Sequence, residues 1–326
     1  MANPLLDSVH ESGNLETIQV ALPTMGRFYE DGVIDENCNA EDLEVRAIGI
    51  MAELTTRDPF LLASGKGIEL LIPQVCPAIK QPGKLAEIDI EAILITARIA
   101  THGNVMVVDH KCTNKVKGEN DVEEVCGEEN QIEVDLYDII MRYAPLEFNS
   151  NYIVDFPKYG QKVYLRPIEY GQAMSILKDS LNSMSKSEEF NNTPVDQFIN
   201  NESQLEDYAE FITKQAITTM GGIINSVFFV ETANGDKVFN RDQIKEWLLA
   251  ISKDDVKEIL EKASNLSKEL QGNTNITYKC AKCGNDNQTN VELDVQRLFF
   301  FTPPSSKPQK TPARTSKTRG KRKTTP

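Results

Sequence analysis

Lys279-Cys280-Ala-Lys-Cys283-Gly-Asn-Asp-Asn-Gln288 is the stretch from which the rest of this chain is read, because a diverged copy of it stands in the first half. The copy runs Lys111-Cys112 and then, after an interruption, Cys126-Gly-Glu-Glu-Asn-Gln131. Each copy sets a predicted strand before its first cysteine and closes on a Cys-Gly-x-acid-Asn-Gln turn. A strand of the pattern apolar-Glu-apolar-Asp-apolar is then predicted, Ile132 to Leu136 in one copy and Val291 to Val295 in the other, the second delayed by Thr289-Asn290. Shared order at this length identifies an internal repeat.

A Cys-x-x-Cys-Gly turn at a hairpin tip is the form of a zinc knuckle. Its two-residue spacer lets both thiolates face one ion at about 2.3 Å, and its glycine permits the positive φ that turns backbone amides towards the sulfurs. Cys280 and Cys283 make a clean half-site of this kind. The first copy departs from it, since thirteen residues separate Cys112 from Cys126. Its polar, acidic insertion, Val116 to Glu124, is read as a loop leaving a hairpin whose base stays intact, because surface insertions cost little. Three readings stay open: Cys112, Cys126, Cys280 and Cys283 hold one structural Zn²⁺ in a closed tetrahedral site; the first knuckle folds without metal; or His110 substitutes as a ligand. A redox Cys-x-x-Cys is disfavoured, because such a pair opens a helix and here a strand follows. Cys38 and Cys76 have no partner spacing and are read as inert thiols.

Between and around the knuckles the pattern predicts an α+β fold. It comprises a small β-hairpin, zinc-ribbon-like module formed by the two knuckles, an N-terminal α+β core, and a mainly helical insert between them. The divisions fall at 1–19, a flexible arm; 20–140, the core with the first knuckle; 141–275, the helical insert; 276–302, the second knuckle; and 303–326, a disordered basic tail. Within the core, Leu22-Pro-Thr-Met-Gly-Arg-Phe-Tyr29 reads as a bend that packs its aromatics inward, and Leu43 to Ile48 as a strand. Gly67 to Cys76 reads as a short helix ending before Pro77. The strongest helix runs from Ile88 to Ala100, apolar almost all round, with Glu87, Asp89 and Glu91 at its positive end and Gly103 as its stop. In the insert, Lys162 to Arg166 reads as a strand, and Asn234-Gly235-Asp236 predicts a tight turn between Val227 to Glu231 and Val238-Phe239. Trp247 falls on a core-facing helical stripe.

The formal charge of −14 conceals an asymmetry. Eight of the 35 lysines and arginines lie in residues 303–326, which hold no acid, so the rest carries 49 acids against 27 bases. An acidic body repels phosphate and anionic lipid, leaving the tail as the one segment suited to nucleic acid. No apolar run approaches the roughly 20 residues of a membrane helix, and the N-terminus lacks the basic and apolar blocks of a secretory signal. The expected location is therefore cytoplasmic. His10, His102 and His110 are scattered, and no nucleophile elbow, phosphate loop or dinucleotide fingerprint is present. Gly65-Lys66-Gly67 reads as a turn into a helix, and the acidic runs Glu119 to Glu124 and Asp254-Asp255 as solvated faces or helix starts. Neither an enzyme nor a small-molecule binder is expected.

Several of these segments occur in one order in a known family. Leu22 to Tyr29, the strand Leu43 to Arg46, Leu61-Leu62 with Gly65-Lys66-Gly67, Ala97-Arg-Ile-Ala-Thr-His-Gly103, and Cys126-Gly127 with its following strand resemble the T4-like phage baseplate hub assembly proteins. Longer members are similar in closing on a Cys-x-x-Cys-Gly knuckle and a Phe-Phe pair, here Cys280 to Gly284 and Phe299-Phe300. The resemblance covers most of residues 20–301. It implies a non-enzymatic role in forming the hub of a contractile tail, hub or tail proteins as partners, the host cytoplasm as the place of assembly, and no ligand beyond a zinc ion. A zinc-ribbon nucleic-acid-binding protein using its basic tail is the alternative.

Overall fold

A computed structural model describes residues 16–117, 123–143, 152–191, 202–269, 274–291, 293, 298 and 299. The arm expected at 1–19 lies outside these up to residue 15, and the tail expected at 303–326 lies wholly outside them. The chain is a mixed α+β protein.

The apolar run after Leu85 folds as expected. Among the helices α1 (Ile50–Thr56), α2 (Pro59–Ala63), α3 (Lys66–Val75) and α4 (Glu87–His102), it supplies α4, which is buried along nearly its whole length. Ile93, Ile95 and Ala97 are sealed from solvent, each buried isoleucine contributing about 1.5–3 kcal/mol of apolar transfer. Around α4 pack the antiparallel pair β1 (Thr17–Val20) and β2 (Leu43–Arg46), helix α3 and the hairpin described next. β1 thus brings order to residues expected to belong to the arm.

β3 (Val105–Lys111) pairs antiparallel with β6 (Glu129–Asp135). The insertion between them, expected to be a loop, carries a second hairpin of its own, β4 (Lys115–Lys117) against β5 (Glu123–Val125). Leu136, expected to end the strand, instead begins the short helix α5 (Leu136–Ile140), because Asp135 caps it by accepting from the Tyr137 N–H at 2.9 Å.

The middle of the chain carries the strands expected at Lys162 to Arg166, Val227 to Glu231 and Val238-Phe239, and one more that was not, Ile153–Phe156. β7 (Ile153–Phe156), β8 (Gln161–Leu165), β9 (Val227–Glu231) and β10 (Lys237–Val238) form one antiparallel sheet in the order β10-β9-β8-β7. The turn at Asn234 to Asp236 joins β9 to β10, as its sequence predicts. Helices α6 (Tyr170–Asn191), α7 (Glu202–Ser226), α8 (Arg241–Ala250) and α9 (Lys253–Glu269) complete this part. Its core gathers Val154, Phe156, Val163, Leu165, Ile223, Ile244, Leu248 and Ile259, with Trp247 half-buried against it and Phe28 and Ile88 reaching in from the first core. Asp255 sits at the start of α9, one of the two readings of its acidic pair, and is buried there, held by Lys158 at 2.7 Å and by the Ser252 and Tyr159 hydroxyls.

The chain then returns through β11 (Asn275–Lys279) and β12 (Asp286–Asn290), an antiparallel hairpin. β12 covers Asp286 to Asn290 and not the expected Val291 to Val295, of which Val291 and Leu293 are described and lie outside the strand. Val291 is instead buried in the first core together with Leu298 and Phe299, so apolar burial ends the strand there. Phe300 lies outside the described residues.

A second structural device involves Leu22 to Tyr29. Ala86 opens α4 without a side chain able to cap it. The Tyr29 hydroxyl accepts the Ala86 N–H at 2.9 Å and donates to Asp89 in the first turn, while Thr24 donates to Asp89 through its N–H at 3.0 Å and its hydroxyl. The bend that brings both residues there needs a left-handed Gly26 (φ 71°), whose missing Cβ leaves room for Ala40, otherwise 2.8 Å away.

Candidate metal centre

Both knuckles fold by the same hydrogen bonds. In the first, the Cys112 N–H donates to the Glu128 carbonyl at 2.8 Å and the Gly127 N–H to the Cys112 carbonyl at 3.1 Å. In the second, the Cys280 N–H donates to the Asn285 carbonyl at 3.1 Å and the Gly284 N–H to the Cys280 carbonyl at 2.9 Å. Gly127 (φ 67°) and Gly284 (φ 70°) occupy the same left-handed conformation, the physical reason for the repeated glycine.

The stretched spacing of the first knuckle is resolved by the β4–β5 hairpin. The Cys126 N–H donates to the Asn114 carbonyl at 2.8 Å, closing the hairpin at its base. Asn114 and Cys126 therefore adjoin in space, and Cys112-Thr-Asn114 followed by Cys126-Gly127 reproduces the outline of Cys280-Ala-Lys282-Cys283-Gly284.

The two knuckles meet. Cys112, Cys126 and Cys280 are buried and Cys283 is half-buried, with all four Sγ atoms within 4.8 Å of one another. The first cysteine of each copy faces the second of the other: Cys112 to Cys283 and Cys126 to Cys280, both at 3.8 Å. The equivalent positions His110 and Tyr278 also meet, Nδ1 to hydroxyl at 2.7 Å, so the hairpins are related reciprocally. His110 engages Tyr278 and is not one of the clustered groups. Cys38 is exposed and Cys76 buried, both apart from the cluster, and burial pushes the Cys76 thiol up to about 11.

A tetrahedron of sulfurs about 2.3 Å from a central ion has edges of about 3.8 Å, the separation of both facing pairs. The soft, four-sulfur donor set suits a tetrahedral thiophilic cation such as Zn²⁺. The electrostatics agree. The Cys283 backbone N–H, helped by that of Lys282, holds Cys280 down to about 6 against its burial. At Cys126 the Glu128 N–H works downward, but burial and the Cys280, Cys112 and Cys283 thiols outweigh it and push it up to about 11. One thiolate is favoured, and like charges this close do not all ionise without a cation between them. The four cysteines can hold a metal ion.

The residues missed in the sequence are the amides around the sulfurs. Asn287 donates to Cys112 Sγ at 3.2 Å, Asn130 to Cys280 Sγ at 3.7 Å, and Asn114 lies 4.0 Å from Cys283 Sγ. The signal was present, since Asn130 and Asn287 occupy the same place in the repeat.

By fold and site this is an α+β protein whose distant segments are joined through a four-thiol centre. It belongs to the T4 bacteriophage base plate protein family, whose model matches residues 59–300. It is thus a phage baseplate protein with a structural or assembly role among other tail and baseplate proteins. Leu22 to Tyr29 and Leu43 to Arg46 precede the matched region. Comparison with curated proteins and with solved structures gives no significant match. Among the described residues, no helix is long and apolar enough to cross a membrane.

Proposed function

We propose that the chain is a non-enzymatic assembly factor for the hub of the baseplate, closed by one structural Zn²⁺ on Cys112, Cys126, Cys280 and Cys283 in a zinc-ribbon-like module. The observation that carries the metal reading is the meeting of two repeated knuckles at tetrahedral spacing from opposite ends of a long insert. The family match supports the baseplate role, and the order of segments quoted from the sequence supports the hub.

The protein supplies the thiols, the turning glycines and the amide donors. When bound, the ion neutralises the thiolates and contributes its binding free energy to folding. Because the knuckles bracket the insert, this clamps both ends of the insert against the first core and gives hub subunits a rigid, acidic body to dock on.

Two measurements test the reading. Zinc is counted per chain in purified protein and in a variant with Cys280→Ser and Cys283→Ser, with one equivalent expected in the first and none in the second. In cells infected by phage lacking this chain, hub subunits are expected to remain unassembled and baseplates to be absent. Intact baseplates formed without it overturn the assembly role.

A further inference from the structure

We infer that Asn130 and Asn287 are positioning residues of the thiol centre: each donates its side-chain amide to the first cysteine of the opposite knuckle and so locks two half-sites into one metal-binding unit. This rests on the proposed metal reading of the four cysteines.

The argument starts from the amide's two ends. At Asn130, Oδ1 accepts the Ala281 N–H at 2.9 Å, which leaves Nδ2 to face the sulfur of Cys280 and the Glu128 carbonyl. At Asn287, Nδ2 reaches Cys112 Sγ at 3.2 Å. Both side chains are buried, 7% and 4% exposed, where a polar group stays only if it is satisfied. Each stands in register opposite the residue two before the first cysteine, Asn130 opposite His110 and Asn287 opposite Tyr278, so the repeat places both donors alike. An ionised or metal-bound sulfur accepts hydrogen bonds better than a neutral thiol does, so these donors favour the ligating form. They also cross between the hairpins, which ties the position of each sulfur to the other knuckle. Outer partners of this kind orient ligands and tune affinity.

The test uses full-length protein with Asn130→Asp and Asn287→Asp, singly and together, and the corresponding alanine variants. Aspartate keeps the shape and the acceptor towards Ala281 but replaces the donor by a negative group. Alanine removes the donor without adding charge and serves where an aspartate variant does not fold. Zn²⁺ affinity is read by competition with a chromophoric chelator, and the thiolate-to-metal charge-transfer band by Co²⁺ substitution. Each single variant is expected to bind Zn²⁺ about 10–100-fold more weakly, with a shifted cobalt band. Unchanged affinity and band in variants of a wild type that binds metal overturn the inference and spare the metal site. A lower melting temperature of the metal-free protein, with affinity and band unmoved, assigns the asparagines to folding alone and also overturns it. A wild type that takes up neither ion overturns both readings.

Discussion

Asp89 is fully buried at the start of α4, and burial raises its pKa to about 6 even though Thr24 and Tyr29 hydrogen-bond to it. Its value in the unfolded chain is near 3.9, so the folded state binds the proton more tightly. The resulting stability is fully present below the unfolded value and is lost as pH rises through about 6, a change of about 3 kcal/mol for a shift of this size. Asp89→Asn is expected to remove most of that decline, which urea titrations of both proteins between pH 4 and 7 check. Tyr29 is pushed well above the usual tyrosine range by burial and by Asp89, and so remains a donor throughout that window. Arg98, in the last turns of α4, is buried and donates to the carbonyl of Gly103, the residue that caps the helix, at 3.0 Å, tying the chain's exit from the helix back onto it.

The β4–β5 hairpin is an addition to a knuckle already complete without it. Its base is closed by the Asn114 carbonyl and the Cys126 N–H. Removing residues 115–125 and joining Asn114 to Cys126 creates Cys-Thr-Asn-Cys-Gly, the spacing of the second knuckle. The shortened protein is expected to fold with the same zinc content as the parent and a melting temperature within a few degrees of it, read by elemental analysis and calorimetry. Loss of metal on excision would mean that the hairpin itself sets the position of Cys126. Helix α9 shows a similar economy. Ser252 and Asp255 cap it reciprocally, each accepting the other's backbone N–H at 3.3 Å. Ser252→Ala is expected to cost about 1 kcal/mol in chemical denaturation.

For the whole molecule, the thiol centre joins segments lying on either side of the strand-and-helix insert, so its loss is expected to be felt by the entire fold. Chelation of the metal-loaded protein is expected to lower its melting temperature, each kcal/mol lost costing about 1.5 °C for a chain of this size. The protein with Cys280→Ser and Cys283→Ser is expected to melt at the chelated value and to ignore chelator. The charge asymmetry sets another expectation: the acidic body is repelled by DNA, so any binding should fall steeply with salt and vanish on deletion of residues 303–326. Tight DNA binding of this kind by the full chain would favour the nucleic-acid reading through the basic tail, and its absence the assembly reading. The sequence by itself determined the buried central helix, the β9–β10 turn and the repeated knuckles, because periodicity, glycine positions and residue spacing are local. Only the tertiary structure decided the rest. The sheet of β7 to β10, the capping of α4 by Thr24 and Tyr29, and the burial of Val291 depend on partners far apart in the chain. The same holds for the centre: spacing marks Cys280 and Cys283 as a pair, but thiols 154 residues apart, as Cys126 and Cys280 are, come within 3.8 Å only because the folded insert returns the chain to where it began.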